Sequence, residues 1–201
     1  VRPRNASLED PGIPISSERV VELFGGEKSA AGVTVTEKKA LGIPAVWRAV
    51  NLIAGTSASL PFSPYRADGD ARTQVTTGQA AALMSNPHPD LTKFELMELL
   101  FTHALLWGDA YCWRDREGRG RQIALLPIHP SKIKAGRTSS GDKVYAMDAG
   151  GMKLALTDYE ILHIPGFGYD GVGGISPIRA ARQGIGLALA AEEFGARLFS
   201  N

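Results

Sequence analysis

The sequence predicts an α+β fold in which a small, mainly antiparallel sheet with hairpins is flanked by helices, and the chain ends in a long helix. Three observations lead to this prediction. Apolar residues recur at helical spacing within residues 40–61 and 93–107. Short strand-like runs, separated by glycine-bearing polar loops, occupy residues 110–164. After residue 176 an apolar period of 3.6 residues returns.

The clearest predicted helix lies within Ala40–Pro61. Pro44 suits its first turn, where a missing N–H costs nothing. Pro61 ends it and favours a strand over Pro61–Arg66. We expect one face of this helix to be buried, with Trp47 as a core aromatic. That face comprises Val46, Trp47, Val50, Ile53, Ala54 and Ser57.

Composition limits the classes of function. The chain has 201 residues, 44% of them apolar, which is enough for one sizeable core or two small ones. Its net charge of +1 gives no electrostatic reason to wrap nucleic acid or to bind an anionic membrane. No apolar run approaches the ~18 residues of a membrane span, and the N-terminus lacks the apolar stretch of a signal peptide. The single cysteine, Cys112, is expected to be a buried structural thiol in a reducing compartment.

Glycine, proline and capping residues, together with apolar periodicity, predict three regions. They are an N-terminal arm with a short helix over residues 1–35, an α+β domain over 36–176, and the start of a long helix over 177–201. Residues 1–16 show no periodicity, and Ser16 or Ser17 suits the N-cap of a short helix over residues 20–24. A weak alternation follows in residues 32–36. Thr36 is a plausible N-cap for a turn through Leu41.

Beyond the central helix, Ala67–Asp70 has turn chemistry and predicts a hairpin with a return strand over Arg72–Val75. A short helix is expected over Gln79–Met84. Thr92 and Glu95 have capping-box spacing.

That capping box opens a helix that reaches Trp107 and stops at Gly108. His103 lies on this helix without a second ligand at metal spacing, so we expect a packed or surface histidine.

The middle of the chain reads as a series of short strands. Ala110–Arg114 and Gln122–Leu126 form a predicted hairpin whose tip carries Arg114, Arg116, Arg119 and Arg121. Because Asp115 and Glu117 interleave with these arginines, a solvated tip is favoured over a phosphate-binding surface. Further strands are predicted at Lys132–Thr138, Lys143–Met147, Lys153–Leu156 and Glu160–Ile164.

One stretch resembles a chemical motif, the glycine-rich loop Gly166–Ser176. It follows a strand and precedes a helix, a context that can hold a phosphate on backbone N–H groups. It has no Gly-Lys-Ser or Gly-Lys-Thr, and its glycines do not follow the dinucleotide pattern. We therefore favour a flexible loop that reverses the chain before a helix capped by Ser176. The alternative is a small phosphate-binding enzyme with Tyr169 and Asp170 as its titratable groups.

Other catalytic arrangements are missing from the sequence. His129 and His163 have no partners at metal-ligand spacing, and no nucleophile accompanies Asp158 or Glu160. We predict no catalytic, cofactor-binding or metal-binding residue, and no cofactor.

Several short segments of the chain form a pattern that is specific in its order and spacing. They are Gly32–Thr36, Val46–Ala54, Ser59–Pro61, Asn86-Pro87, Gly108–Tyr111, Leu126–Pro130, Glu160–Ile164 and Gly174–Ile178. Together they resemble the portal proteins of tailed bacteriophages, in their siphophage-type branch. One departure is Asp109, where this family more often has asparagine.

The resemblance implies a structural protein rather than an enzyme. Portal proteins form a ring, usually of twelve subunits, at one capsid vertex. They conduct double-stranded DNA and meet the terminase large subunit, the major capsid or scaffold protein, and the head-completion or tail connector proteins. The resemblance therefore places the protein in the virion, and in the host cytoplasm during assembly. Another capsid or head-completion protein is a weaker alternative.

The family's chain is about twice as long as this one, so the resemblance also implies that residues 1–201 form an N-terminal portion dominated by the wing. The channel-forming stem, the clip and the crown would lie largely beyond Asn201. DNA contact is expected to be weak and non-specific.

The last helix carries two apolar strips on different sides. One strip is enough to hold the helix to its own domain, and Glu192 within it would be costly to bury unpaired. The other strip needs a different partner, so its residues are our candidates for the oligomer interface. The first strip comprises Ile178, Ala181, Ile185, Ala188, Leu189, Ala196 and Phe199, and the interface candidates are Leu187, Ala191, Phe194 and Leu198.

Overall fold

A computed structural model describes residues 27–168 and 170–200. The predicted arm over residues 1–16 and the short helix over residues 20–24 lie outside this range. The chain divides into two compact units. One runs Pro44–Ala180, and the other joins the chain up to Ile43 with the chain from Ala181 onward.

The smaller unit contains a two-stranded antiparallel ladder, β1 (Glu27–Lys28) and β2 (Thr34–Val35), followed by helix α1 (Glu37–Leu41). The Thr36 hydroxyl accepts a hydrogen bond from the Lys39 N–H, which confirms the predicted N-cap.

The last helix of the chain, α6 (Arg182–Phe199), belongs to the same unit. A Cβ at Gly186 would lie 2.2 Å from the Ser29 hydroxyl oxygen, so α6 lies against the β1–β2 turn at a position that only glycine fits.

Helix α2 (Pro44–Ser59) opens the larger unit and packs against helix α4 (Lys93–Trp107). Val50 and Ala54 are buried in this contact. Trp47 and Ile53 are 57% and 49% exposed, so the prediction of a fully buried face with a core tryptophan was wrong. Helical spacing predicts which side of a helix is buried. How wide that buried side is depends on how many elements pack against the helix.

Strands β3 (Tyr65–Asp68) and β4 (Ala71–Gln74) form a separate hairpin in which every strand residue is exposed. The first strand begins later than predicted, since Pro61 and Pro64 have no N–H for a ladder. The Val75 N–H donates to the Pro64 carbonyl and extends the pairing by one residue at the open end of the hairpin. Helix α3 (Gln79–Ser85) follows, as expected.

Both ends of helix α4 confirm the sequence prediction. At its start, Thr92 and Glu95 exchange the two hydrogen bonds of a capping box. The Thr92 N–H and hydroxyl both donate to the Glu95 carboxylate, and these two bonds hold the pKa of Glu95 below its usual value. At its end, Gly108 takes a left-handed conformation with φ 92°.

The predicted sheet is divided into two antiparallel three-stranded sheets. The first has the order β10-β5-β6, and the second β7-β8-β9. Their strands are β5 (Asp109–Glu117), β6 (Arg121–Ile128), β7 (Ile133–Arg137), β8 (Lys143–Ala149), β9 (Met152–Leu156) and β10 (Ile161–Pro165).

Alternation along β5 creates two cores, one on each face of the first sheet. Ala110 and Cys112 face α4, where they pack with Leu96, Leu100 and Leu125. Cys112 is free and fully buried, as predicted, and this burial raises the pKa of its thiol to about 12. The opposite face packs against the second sheet through Tyr111, Ile161, Ile133 and Tyr145. The α+β class is therefore confirmed, with helices on one face of the first sheet and a second sheet on the other.

Two of the arginines near the β5–β6 tip, Arg116 and Arg121, are engaged within the unit. The Arg116 guanidinium donates to the carbonyls of Gly120 and Tyr159 and lies over the Tyr159 ring. Arg121 pairs with Glu117 at 3.1 Å. The tip is therefore exposed to solvent, and Arg116 and Arg121 are held by contacts within the unit.

The helix predicted from residue 177 is interrupted. A short helix α5 (Pro177–Ala180) ends before Ala181, and α6 begins at Arg182. Ser176 accepts from the Arg179 N–H, as its predicted capping role requires.

Candidate assembly surfaces

The loop between β10 and α5 is the stretch considered above as an alternative anion site, and three of its backbone N–H groups, those of Val172, Gly173 and Gly174, donate to carboxylates of the chain. The Asp170 carboxylate accepts from Val172 and Gly173 at 2.8 and 3.2 Å. The Asp109 carboxylate accepts from Gly174 at 2.7 Å. The hydrogen bonds from Val172 and Gly173 hold the pKa of Asp170 below its usual value. Two carboxylates occupy the positions that a phosphate would need, so the geometry does not favour the phosphate-binding alternative.

The glycines of this loop are required for close packing rather than for flexibility. A Cβ at Gly174 would lie 1.9 Å from the Gly108 carbonyl oxygen, and one at Gly166 would lie 2.5 Å from the same atom. A Cβ at Gly168 would lie 2.2 Å from the Gly173 carbonyl oxygen. The Gly166 N–H donates to Gly108 at 2.8 Å. Close packing at Gly166, Gly168 and Gly174 is therefore a reason for glycine that the sequence analysis did not give.

Asp109 and His163 form a buried pair that the sequence did not reveal. The His163 Nε2 lies 2.8 Å from an Asp109 carboxylate oxygen, and the His163 side chain is almost fully buried. The Tyr111 ring stacks on His163, with 4.5 Å between ring centroids. Burial, and secondarily the Asp109 charge, raise the pKa of Tyr111. Because the Asp109 carboxylate also accepts a hydrogen bond from the Gly174 N–H, the Asp109–His163 pair links the loop to the sheet.

The sequence signal for this pair is weak because its members are 54 residues apart. They meet through strand pairing: β10 lies antiparallel to β5, which places His163 opposite Tyr111 and Pro165 opposite Asp109. Nothing in local spacing encodes that register.

His103 is packed, as expected for a histidine without ligand partners. It lies between Trp107 and His129, with ring centroids 5.7 and 5.5 Å away. Burial, assisted by the neighbouring His129, lowers the pKa of His103 to about 4. Among the residues that the structure describes, no three His, Cys, Asp or Glu side chains are grouped to hold a metal ion.

The interface candidates on α6 form an exposed apolar strip, which we call the α6 strip: Leu187, Ala191, Phe194 and Leu198. Leu187, Phe194 and Leu198 are 66%, 70% and 64% exposed, and Ala191 is also exposed.

The opposite side of α6 is buried only near its start, through Ile185 and Gly186. Further along, Ala196 is exposed and Phe199 is 89% exposed, although both were expected to hold the helix to its own domain. Glu192 is exposed, so its predicted burial cost does not arise in the isolated chain.

A second apolar surface lies in the larger unit. A cavity of about 600 Å³ runs along α4 and is walled by apolar residues of α3, β6 and β10. We call it the α4 groove. Phe62 lies in the lining beside Lys93. The residues of α4 that line the groove are Lys93, Leu96, Met97, Leu100, Phe101 and Ala104. Sequence analysis missed the groove, since a concavity depends on the spacing between elements.

In the described part of the chain, no helix has both the length and the hydrophobicity of a membrane span.

The sequence profile of phage portal proteins matches residues 44–201. The chain belongs to the phage portal protein family. This match covers all of the larger unit and α6, including the exposed strip.

Three curated relatives share sequence with this portal-family chain. The probable portal protein of Streptomyces phage phiC31 is 32% identical over 186 residues, which cover 88% of this chain and 40% of that protein. The portal protein of Enterobacteria phage HK97 is 30% identical over 171 residues, covering 84% and 40%. Protein BeeE of Escherichia coli K12 is 27% identical over 104 residues, covering 51% and 65%. The chain thus spans about 40% of the length of the two phage proteins.

Solved structures support the same fold. The neck of a native gene transfer agent particle, computed with C12 symmetry, matches 94% of this chain with a TM-score of 0.68 at 22% identity, over 51% of the matched chain. An HK97-family portal protein from Corynebacterium diphtheriae matches 84% with a TM-score of 0.55 at 21% identity, over 52% of that chain. The predicted family and fold class are confirmed.

Proposed function

We propose that this chain is a structural subunit of a portal ring at the capsid vertex, which conducts double-stranded DNA during packaging and ejection. The observation that carries the proposal is the family match over residues 44–201, at 32% identity to one portal protein and 30% to another. A related neck particle was computed with C12 symmetry, in keeping with a ring that usually has twelve subunits.

The α6 strip is proposed as part of the subunit interface. An exposed row of large apolar side chains is unfavourable in water and marks a protein interaction surface. Residues 36–176 would then serve as the wing-like domain and residues 177–201 as the start of the helix leading to the stem. The remaining parts of the channel would come from the stem, clip and crown regions.

The other proposed partners follow from membership of this family. They are the terminase large subunit, the major capsid or scaffold protein, and the head-completion or tail connector proteins. The protein would reside in the virion and, during assembly, in the host cytoplasm. No enzymatic activity and no cofactor are proposed, and three loop N–H groups that a phosphate could use, those of Val172, Gly173 and Gly174, are bonded within the chain.

Contact with the translocating DNA would be weak. With a net charge of +1 and with Arg116 and Arg121 engaged internally, we expect affinities of roughly 10⁻⁴ to 10⁻⁶ M for duplex DNA at physiological salt. A conduit benefits from this weakness, because tight phosphate contacts would oppose sliding.

Electron microscopy of the full-length portal protein tests the proposal, with closed rings around a central hole as the expected result. Phe194→Asp should abolish rings while leaving the thermal unfolding of the chain nearly unchanged. Phe199→Asp is the matched control, because Phe199 is also exposed on the same helix, at 89% against 70% for Phe194, but lies off the α6 strip. Mutant rings of normal size and stability with Phe194→Asp would contradict the proposed interface. Absence of rings from the wild-type protein would contradict the proposed function.

A further inference from the structure

The turn between β1 and β2, residues 29–33, lies against the start of α6 within the smaller unit. Hydrogen bonds close this turn. The Ser29 N–H and hydroxyl both donate to the Val33 carbonyl, and the Gly32 N–H donates to the Ser29 carbonyl. Gly32 takes a left-handed conformation with φ 76°, which favours glycine. The β1–β2 turn therefore has a defined shape.

The strands beside the turn are too short to hold it in place by themselves. β1 and β2 have two residues each. An isolated two-stranded hairpin is at best marginally stable in water. Ser29, Thr34 and Val35 are nevertheless buried, and β2 contacts α6. The hairpin is therefore stabilised by the helix on which it lies.

A hydrogen bond and a close contact join the turn to the helix. The Ala30 N–H donates to the Gln183 side-chain oxygen at 2.7 Å. A Cβ at position 186 would lie 2.2 Å from the Ser29 hydroxyl oxygen and 2.3 Å from the Ser29 Cβ. Gly186 and its neighbour Ile185 are buried, whereas the α6 strip is exposed. The turn therefore packs on the side of α6 that the strip does not use.

Glycine at position 186 is unfavourable for the helix itself. Glycine in a helix interior is less favourable than alanine, because its backbone loses more conformational freedom on folding. At Gly184, one helical position pair earlier, a Cβ would meet no atom within 4 Å. At Gly186 it would meet the turn. Close approach of the turn is therefore a reason for glycine at position 186 that does not apply at position 184.

The contact at Gly186 fixes the direction in which the α6 strip faces. Successive residues of an α-helix are rotated by about 100°. Measured around the helix from Gly186, the four strip residues lie between about 80° and 140°. A rotation of α6 on the turn would rotate the strip by the same angle. The orientation of the strip within the smaller unit therefore depends on this contact.

A small shift at Gly186 grows along the helix. Carbon atoms in contact are about 3.5–4.0 Å apart, so a Cβ at position 186 would separate turn and helix by more than about 1 Å. Gly186 lies about 6 Å from the start of α6 at Arg182, and Leu198 lies about 24 Å from it. A pivot at Arg182 would therefore displace Leu198 by about 4 Å. Close-packed side chains do not tolerate such a shift, since a gap of about 0.5–1 Å already forfeits a quarter to a half of the contact energy.

We propose that the β1–β2 turn is a positioning element for ring assembly: packed on Gly186, it sets the α6 strip in the orientation that a neighbouring subunit requires. This inference rests on the proposed ring function. Ser29 and Gly186 are positioning residues, which act on the interface through the orientation of α6. Assembly then depends on a turn that lies outside both the strip and the family match over residues 44–201.

Gly186→Ala in the full-length protein tests this role, with Gly184→Ala as the matched control on the same helix. Both changes raise helix propensity, and they differ in the contact with Ser29. We expect several-fold fewer closed rings for Gly186→Ala, and a wild-type yield of rings for Gly184→Ala, by electron microscopy and sedimentation velocity. Rings are counted at a temperature where circular dichroism shows each variant to be folded, so a loss of rings is not a loss of folding.

Second changes at Ser29 show whether the turn causes the loss. Ser29→Gly removes both atoms that a Cβ at position 186 would approach most closely, and the next atom, the Val35 Cγ2, lies at an ordinary 3.5 Å. Ser29→Ala keeps the Cβ at 2.3 Å. Combined with Gly186→Ala, Ser29→Gly should therefore restore rings, whereas Ser29→Ala should not.

Gln183 provides a test that adds no bulk, and it decides the question if Gly186→Ala does not fold. Gln183→Ala removes the hydrogen bond from Ala30 and should lower the yield of rings. Gln183→Glu keeps an acceptor oxygen at this position and should assemble as the wild type does. Equal yields for these two variants would contradict the positioning role.

The remaining outcomes separate this role from the ring function. A normal yield of rings for Gly186→Ala would show that the turn does not orient the strip, and would leave the ring function intact. Failure of Ser29→Gly to restore rings would show that Ser29 does not cause the loss, and would also overturn the inference. Absence of rings from the wild-type protein would refute the ring function and the positioning role together.

Discussion

Helices α4 and α6 have similar lengths, 15 and 18 residues, and both carry apolar side chains on more than one side, yet the fold treats them differently. Helix α4 packs against α2 and against the first sheet. Helix α6 is covered only near its start, and its second half is exposed almost all round.

Helix α4 therefore stabilises its own unit, whereas the second half of α6 keeps apolar side chains exposed that another surface could cover. The side chains of α4 contribute their burial to folding of the single chain. The exposed side chains of α6 contribute little until another surface covers them. We therefore expect substitutions near α4 to change stability and substitutions late in α6 to change assembly.

The largest expected effect is at the loop that joins the end of α4 to the sheet. Gly174→Ala would place a Cβ 1.9 Å from a backbone oxygen, and we expect a loss of at least about 4 kcal/mol in the free energy of unfolding. Gly184→Ala on α6 meets no atom within 4 Å and should gain about 0.5–1 kcal/mol from helix propensity. Urea unfolding measures both, and a tolerated Gly174→Ala would contradict the packed loop.

The next effect compares one side-chain change on both helices. Leu96→Ala on α4 removes a fully buried side chain and should cost about 2–5 kcal/mol. Leu198→Ala on α6 should change the stability of the single chain by less than about 0.5 kcal/mol. Denaturant titration at a concentration where the chain is monomeric provides the test. Equal losses at the two positions would remove the proposed distinction.

A smaller effect depends on pH and is specific to α4. The pKa of His103 is lowered from 6.5 to about 4 by burial and by His129, so between these values the unfolded chain binds more protons than the folded chain. Stability should therefore fall as pH falls from about 6.5 to 4, by up to about 1.4 kcal/mol per pH unit from this residue. His103→Phe should show a shallower pH dependence. Identical slopes for the two proteins would show that His103 does not titrate in this way.

The smallest effect is expected for a surface pair on α6. Glu193 and Arg197 are ion-paired one turn apart, and both side chains are more than half exposed. Glu193→Gln should alter stability by less than about 0.5 kcal/mol, since exposed pairs are screened and entropically costly. Thermal unfolding at low and high salt checks this. A large loss of stability in Glu193→Gln that shrinks at high salt would contradict this, because it would show that the ion pair orders this end of α6.

The sequence determined those features whose signals are local. The capping box of Thr92 and Glu95, the left-handed stop at Gly108 and the alternation of Ala110, Tyr111 and Cys112 all depend on residues within a few positions of each other. Local backbone sterics and side-chain reach act at that range, so these elements could be predicted. The second apolar strip of α6 was also predicted from a local signal, the helical periodicity of its residues.

Only the tertiary structure decided which apolar faces find a partner. Trp47 and Ile53 share a helical face with Val50, yet they remain exposed because α2 packs on a single neighbouring helix. The Asp109–His163 pair depends on strand register across 54 residues, and the closely packed glycines at 108, 166 and 174 depend on it too. Burial and long-range pairing depend on how helices and strands pack against one another. The sequence pattern of a single helix or strand shows only which of its residues are apolar.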